Sequence, residues 1–461
     1  MSYRERFFAP ANRGGAISIY DGRGTLIERI SKSDLQAKVL QESRLLRASR
    51  PPCPLTPLAP EVSLDFITRF LAHMMAGHVP LVDMPLKGPL PPEGQRPDRA
   101  IAPPFPAETA YAQRSSGTTG APKLFAVTFD ELARNVDFIA QYVLPEGGGV
   151  ATSWLPFYHD MGLVGMLLVP LLYEVDLHLF APRSFLRAPA LWLDLCAKTQ
   201  SSISYGPSAM WRLAAERYQG EAGSLSHLKI AGIGGDTLYT SDIATSQRAL
   251  ESFGLRESAW LASYGMAEAV LALGFRPFPE GVSRHFDSGQ QILPSMRLGP
   301  QEADVHLTAE GQIAFAGRRI IASVQPQREQ IFLSPDLGQI AQGDLYVSGR
   351  AGDFIKVNGR KIFFADVEDR ITALSGLSGG LFVCAWPEDE PSRLRLYLGK
   401  KLYPALQGSA FEDLRQKLFF EMGIRLSLHE AENGFVQKTT SGKIRRRATF
   451  EILQQQATGF M

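Results

Sequence analysis

Between Asp65 and Met75 the chain sets Phe66, Phe70, Leu71 and Met74 at helical spacing, and the apolar run 78–82 that follows has the length of a strand. The alternation continues. Residues 131–143 read as a helix, 149–155 as a strand, 191–198 as a helix and 202–205 as a strand. A helix over 207–218 then opens on a proline, and a strand over 228–233 ends in glycines. Elements of these lengths in alternation predict an α/β fold, a layered sheet much of which is parallel. The apolar stretch 161–172 is broken by Gly162, Gly165 and Pro170 and is too short to cross a bilayer, so it reads as a buried helix or strand. The proline-dense stretches 51–60 and 85–106 read as long surface connections. From about residue 305 the pattern changes to short alternating strands at 304–307, 312–315 and 344–348, a β-rich subregion. After Arg350 it resets into a small α+β unit: a helix at 366–374, strands at 380–385 and 393–398, and an amphipathic helix at 410–420 ahead of a basic tail.

These changes of texture divide the chain into a large N-terminal region, residues 1–349, and a small C-terminal domain, residues 354–461. Between them, Gly349 and Gly352 flank Arg350 and give 350–353 the backbone freedom of a hinge, though the same residues also suit an ordinary tight turn. A length of 461 residues agrees with two to four folding units. No repeat of fixed period is present, which sets solenoids and propellers aside. Lys plus Arg total 48 against 47 Asp plus Glu, and a balance of +1 gives no broad attraction to nucleic acid or to an anionic membrane. Cys53, Cys196 and Cys384 form no CxxC pair, so neither a disulfide framework nor a zinc ribbon is expected. A reducing, cytoplasmic setting fits. The N-terminus lacks the apolar core of a secretory signal, and no export is expected.

Candidate chemistry begins at Ser115-Ser116-Gly117-Thr118-Thr119-Gly120-Ala121-Pro122-Lys123. Its glycines let backbone amides approach phosphate oxygens, its hydroxyls donate, and Lys123 brings positive charge. It is not a P-loop of the GxxxxGK[ST] type, and the same composition also suits a flexible loop. Tyr264-Gly265-Met266-Ala267-Glu268 places one carboxylate after a glycine turn, suited to a hard divalent cation beside phosphates, or simply to a helix N-terminus. Asp336 and Arg350 offer a carboxylate and a guanidinium to a diol, or merely a turn and a strand. Thr439-Thr440-Ser441-Gly442-Lys443-Ile444-Arg445 puts a lysine on a glycine loop, or ends the chain in a solvated basic tail.

In this order and across nearly the whole chain, the four segments resemble the adenylate-forming superfamily of acyl- and aryl-CoA synthetases, nonribosomal peptide adenylation domains and luciferases. The resemblance implies a large α/β domain, a mobile C-terminal domain, and ATP with Mg²⁺. It puts Ser115, Ser116, Gly117, Thr118, Thr119, Gly120 and Lys123 on the phosphates, and Tyr264 with Gly265 and Met266 on adenine. Glu268 falls on the metal, Asp336 and Arg350 on the ribose, and Lys443 is the catalytic lysine. Gly234, Gly235 and Asp236 border the nucleotide and the acid. Lys356, Asn358 and Gly359, past the hinge, fall near an incoming thiol arm.

Trp154-Leu155-Pro156-Phe157-Tyr158-His159-Asp160-Met161-Gly162-Leu163 looks like the matching segment of fatty acyl-AMP ligases, which hand their product to the phosphopantetheine arm of an acyl carrier protein. His159 and Asp160 can pair near a carboxylate, and His159, Met161, Gly162, Tyr205 and Gly206 are placed around the acid. The implied function is activation of a carboxylic acid, a fatty acid first and an aryl acid second, to an acyl-adenylate. Transfer to a holo carrier protein follows, by a monomer or weak dimer. Free CoA as acceptor and a silent nucleotide-binding scaffold are the alternatives. Retention of Lys123, Glu268, Asp336, Arg350 and Lys443 together argues against the scaffold. Three departures stand out. The segment 273–296 is short where fatty acyl-AMP ligases carry an insertion, Ser334-Pro335 replaces the usual Thr-Gly before Asp336, and Gly352 replaces a charged residue at the hinge.

Overall fold

The computed structural model describes Arg4, Phe8 and residues 14–49, 55–82, 105–114, 124–144, 148–278, 284–285, 291–298, 304–316, 331–357, 360–377, 382–385, 393–438 and 444–458. Its central layer is an eight-stranded sheet. From edge to edge the strands are Ala272–Pro277, Trp260–Gly265, Ile230–Gly234, Ile203–Gly206, Gly148–Ser153, Glu174–Phe180, Ala16–Tyr20 and Leu26–Ser31. The six inner strands are parallel and the two edges antiparallel. That is the mixed α/β layering the alternation predicts, because parallel strands need helical crossovers that cover both faces.

Local sequence accounts for where several helices begin and end. Phe129–Val143 starts at a capping box, in which Glu131 N donates to Thr128 Oγ1 (3.2 Å) and Thr128 N donates to Glu131 Oε2 (2.9 Å). Leu64–Ala76 starts on Ser63 and ends on Gly77, whose φ of 85° a side chain would resist. The helix expected at 207–218 is shorter, Ser208–Ala215. The ambiguous stretch at 161–172 is a π-helix, Met161–Leu168, running into the short α-helix Val169–Leu172 with Pro170 in its first turn. Within the stretch read as a surface connection at 51–60, Thr56–Leu58 forms a strand. It lies at the edge of a four-stranded sheet with Pro80–Val82, Thr109–Arg114 and Leu124–Thr128, where Pro57 is tolerated.

The β-rich region is a five-stranded antiparallel sheet in the order Met296–Arg297, Asp344–Arg350, Phe332–Ala341, Gln312–Ala316, Asp304–Leu307. After residue 350 come a hairpin, Phe354–Val357 with Arg360–Phe363, the helix Phe364–Ser375, and a three-stranded sheet of Phe382–Ala385, Arg393–Gly399 and Arg425–Ala431. The helices Ser409–Met422 and Arg446–Thr458 complete that part. Apolar side chains of 362–426 gather in a core of their own, separate from the core that runs from Ile17 to Leu293. Cys196 and Cys384 are buried free thiols, and burial pushes Cys196 up to about 12, so neither is an activated nucleophile. Among the described residues no helix is long and apolar enough to span a membrane.

Candidate active site

In open α/β sheets, ligands bind beyond the carboxyl ends of the parallel strands. Here those ends carry eight of the candidate residues: Tyr264 and Gly265 close one strand, Gly234 leads into Gly235 and Asp236, Tyr205 and Gly206 close the next, and His159 follows Gly148–Ser153. Of these, His159, Tyr205, Gly235, Asp236, Tyr264 and Gly265 border a cavity of about 1470 Å³ whose wall also includes Met161, Met266, Glu268, Asp336 and Arg350.

Two β-bulges shape its polar end. Pro335 lies inside a central strand, where it cannot donate to the ladder. The register with Gln312–Ala316 slips there, between Gln312 and Ala314, and Asp336 comes opposite Arg350. The substitution of Ser334-Pro335 is thus absorbed by the bulge, and Ser334 Oγ lies 3.1 Å from Asp336 N and accepts its hydrogen bond. Tyr264 donates its hydroxyl to Asp336 Oδ2 at 2.6 Å, while Arg350 Nε lies 3.5 Å from Oδ1. Burial, with the Asp336 charge beside it, pushes the Tyr264 phenol well above its usual 10, so it remains a donor. A carboxylate steadied in this way keeps acceptor capacity for a pair of hydroxyls.

The second bulge, at Tyr264 and Gly265, opens the loop that carries Glu268. A Cβ on Gly265 would stand 1.7 Å from Leu271 O, so only glycine fits there. Met266 N donates to that same Leu271 O (2.9 Å) and closes the loop at its neck.

His159 Nδ1 lies 2.6 Å from Asp160 Oδ1, which also accepts from Met161 N (2.8 Å). That pair fixes the imidazole at the mouth of the π-helix. Beyond it the cavity wall is apolar: Ile139, Val143 and Leu144 come from one helix, Met166, Val169 and Pro170 from the π-helix and its continuation, and Leu271 and Phe275 from the facing strand region. Met161 reaches toward Gly235, whose added Cβ would lie 3.3 Å from Met161 Cε. Gly162, Gly206 and Gly234 do not line the cavity. Their added Cβ atoms would meet Pro156 O at 2.2 Å, the Trp192 ring at 2.7 Å and Ser263 Oγ at 2.5 Å, so each permits close packing behind the wall.

The C-terminal part also contributes to the wall, through Phe364, Glu368, Asp369, Ile444 and Arg446. Arg446 makes a bidentate pair with Glu368, 2.7 Å on each side, both side chains nearly buried, and approaches Asp353 Oδ2 at 3.9 Å. Tyr239 donates to Asp366 Oδ1 (2.7 Å) across the cleft. Asp369 opens onto the cleft. The surrounding protein, and then Asp242, Asp366 and Glu368, lift its carboxyl to about 7.

Ser115, Ser116, Gly117, Thr118, Thr119, Gly120, Lys123, Asn358, Gly359 and Lys443 lie outside the described residues. Lys356 is on the strand Phe354–Val357, and Arg114 and Leu124, the described residues on either side of 115–123, are paired with each other in neighbouring strands. Sequence reasoning missed Gln113, buried at the wall with Nε2 donating to Tyr158 O (3.1 Å), because a lone glutamine carries no pattern. The run 161–172, read from the sequence as a wall for an apolar acyl channel, does line the cavity through Met161, Gly165, Met166, Val169 and Pro170, but the part of the wall from Ile139 and Val143 was missed, although these were visible at i, i+4 spacing.

A family model described as AMP-binding enzyme matches residues 50–317, more than half of the chain. A Caulobacter vibrioides protein named "Putative acyl-CoA synthetase" is 32% identical over 62% of this chain and 58% of its own length. A medium-chain-fatty-acid–[acyl-carrier-protein] ligase of Teredinibacter turnerae is 28% identical over 76% of this chain and 64% of its own. The chain therefore spans only about three fifths of the length of these two relatives. A solved structure from a study of fatty acyl-adenylate ligases of E. coli and L. pneumophila superposes with a TM-score of 0.83 at 21% identity, covering 100% of this chain and 99% of that one. The likeness establishes the adenylate-forming fold, and with the family match over residues 50–317 the chain belongs to the AMP-binding enzymes.

Proposed function

We propose that the chain activates a fatty acid with ATP, giving a fatty acyl-adenylate and pyrophosphate, and passes the acyl group to the phosphopantetheine thiol of an acyl carrier protein. The observation that carries this reading is one cavity with two kinds of wall. A diol-binding carboxylate, Asp336, stands at one side, and an apolar wall of Ile139, Val143, Met166, Val169 and Phe275 stands at the other. ATP supplies the diol and a fatty acid the apolar chain. Two of the relatives bear names of this chemistry, one of them a carrier-protein ligase.

In the first step a substrate carboxylate oxygen attacks the α-phosphorus in line, the bond from the α-phosphorus to the α,β-bridging oxygen breaks, and pyrophosphate leaves with the electron pair. Such a step depends on positioning and charge neutralisation. Asp336 and Arg350 hold the ribose, Tyr264 with Gly265 and Met266 borders the adenine, and Gly235 and Asp236 flank the nucleotide and acid. His159, oriented by Asp160, faces the acid carboxylate, with Met161 and Tyr205 beside it. The loop 115–123 takes the leaving phosphates and Lys443 bridges carboxylate and α-phosphate. Glu268 suits magnesium: it brings a hard carboxylate to the cavity wall, where it would hold the ion together with substrate phosphates. When bound, the ion supplies neutralisation of phosphate charge.

In the second step residues 354–461 turn as a unit about 350–353 relative to residues 1–349, bringing Lys356, Asn358 and Gly359 toward the thiol. The thiolate attacks the acyl carbon and AMP leaves. Gly352, with φ of 91° and no heavy atom within 4 Å of an added Cβ, suits such rotation. We place the reaction in the cytoplasm. Mass spectrometry of the protein with ATP, mixed carboxylic acids, and holo carrier protein in competition with free CoA tests acid and acceptor together. Acyl carrier protein as the main product supports the proposal, and acyl-CoA alone replaces the acceptor.

A further inference from the structure

The loop that carries Glu268 contains an unusual turn. Val270 has φ 68° and ψ −58°, and Leu271 N donates to Ala269 O at 2.8 Å. These are the dihedrals and the hydrogen bond of the strained γ-turn, in a β-branched residue that resists positive φ. Such a conformation persists only where its surroundings over-determine it. Two restraints are visible. Met266 N holds Leu271 O at the neck of the loop, and the next residue, Ala272, is gripped from outside.

That grip comes from Asn135, buried on the Phe129–Val143 helix. Its Nδ2 donates to Ala272 O at 2.8 Å, and its Oδ1 accepts from Ala272 N at 3.1 Å. One side chain thus satisfies both backbone groups of the residue that ends the loop. Asn135 also lies one and two turns before Ile139 and Val143, which line the apolar wall, so the helix that faces the acid also fixes the loop bearing the carboxylate.

We propose that Asn135 is a positioning residue: its two-point hold on Ala272 keeps the Val270 turn wound and thereby sets Glu268 where it serves the magnesium–nucleotide pair. This rests on the proposed role of Glu268. Asn135 touches neither substrate nor metal, and its effect passes through the backbone of residues 268–272.

The test is calorimetric binding of α,β-methylene ATP over a range of Mg²⁺ concentrations, for the whole chain and its variants, with melting temperatures recorded alongside. In Asn135→Ala the Mg²⁺ concentration that half-maximally tightens nucleotide binding should rise about tenfold, as for residues that orient a metal ligand. Binding measured without Mg²⁺ should change little. Val270→Gly, which accepts the positive φ without strain and so unlocks the turn, should shift the Mg²⁺ demand in the same direction. Asn135→Asp keeps the acceptor but sets a carboxylate against Ala272 O. Protonated, it donates again, so its Mg²⁺ demand relative to the wild type should fall as pH is lowered from about 8 to about 6. If Asn135→Ala does not fold, the other two variants decide. An unchanged Mg²⁺ demand in the variants, or an equal loss with and without Mg²⁺, would overturn the clamp while leaving the function standing. A wild type whose nucleotide binding ignores Mg²⁺ would overturn the role of Glu268, and the clamp with it.

Discussion

Replacing Asp336 by Asn keeps size and shape and removes only charge. In the structure the carboxylate receives the Tyr264 hydroxyl at 2.6 Å on Oδ2 and faces Arg350 Nε at 3.5 Å on Oδ1, and the proposal assigns its remaining acceptor capacity to two ribose hydroxyls. A hydrogen bond to a charged acceptor contributes about 1.5–3 kcal/mol and a neutral one about 0.5–1.5. The change therefore forfeits about 1–1.5 kcal/mol per hydroxyl, or about 2–3 kcal/mol for the pair. At about 1.4 kcal/mol per decade, the KM for ATP should rise about 30- to 150-fold. The assay is acid-dependent exchange of labelled pyrophosphate into ATP, with ATP and 2′-deoxy-ATP given to each enzyme. The wild type should disfavour the deoxy nucleotide by about tenfold, and Asp336→Asn by only a few-fold, because the partner of the missing hydroxyl is already weakened. A variant that binds ATP normally, or that discriminates against 2′-deoxy-ATP as strongly as the wild type, would refute the ribose assignment.

Other residues make further predictions. A Cβ on Gly165 would come within 3.1 Å of Leu271 Cδ2 across the apolar wall, so Gly165→Leu should shorten the longest acid accepted, read from exchange rates along a fatty-acid series. In the wild type each added methylene should raise kcat/KM about fourfold, the equivalent of about 0.8 kcal/mol, until the chain outgrows the cavity. Glu368→Gln breaks a nearly buried bidentate pair and leaves Arg446 uncompensated, at a cost of about 3–5 kcal/mol, visible as earlier melting and faster hydrogen exchange in residues 362–385. Asp369 has its carboxyl raised to about 7 in the arrangement described, so this arrangement holds a proton that a separated one, with an ordinary carboxyl, releases. The contact between the two parts should be firmest below about pH 4, weaken as pH rises through 7 and level off above it. Fluorescence energy transfer between labels on the two parts follows this, and Asp369→Asn should flatten the profile.

Much of the fold was legible because helices and strands with one buried face write their period into the sequence. Phe66, Phe70 and Met74 do so at helical spacing, and the strand Asp304–Leu307 does so in its alternating exposure. The π-helix at Met161–Leu168 was not legible as such: it is buried on nearly every side, so no polar face marks its period, and two glycines blur the rest. The strand Thr56–Leu58 was hidden by Pro57, which signals a break and is accommodated only because the strand lies at an edge. In the site, Tyr264, Glu268, Asp336 and Arg350 were found by motif, and the structure brings all four to one cavity. Gly162, Gly206 and Gly234 were read with them, but a glycine admits close approach from either side of its backbone, and here packed side chains and backbone take that space. Asn135 gave no signal, since a single asparagine in a helix becomes meaningful only when Ala272, 137 residues away, is placed beside it.

The most direct test of the central claim is the same pyrophosphate exchange, run on the wild type with a panel of carboxylic acids and on Lys443→Ala with the best of them. The account predicts exchange that requires a fatty acid in the wild type and is nearly abolished in Lys443→Ala, while that variant still binds ATP and melts as the wild type does. No exchange with any acid, or near-normal exchange without Lys443, would contradict it.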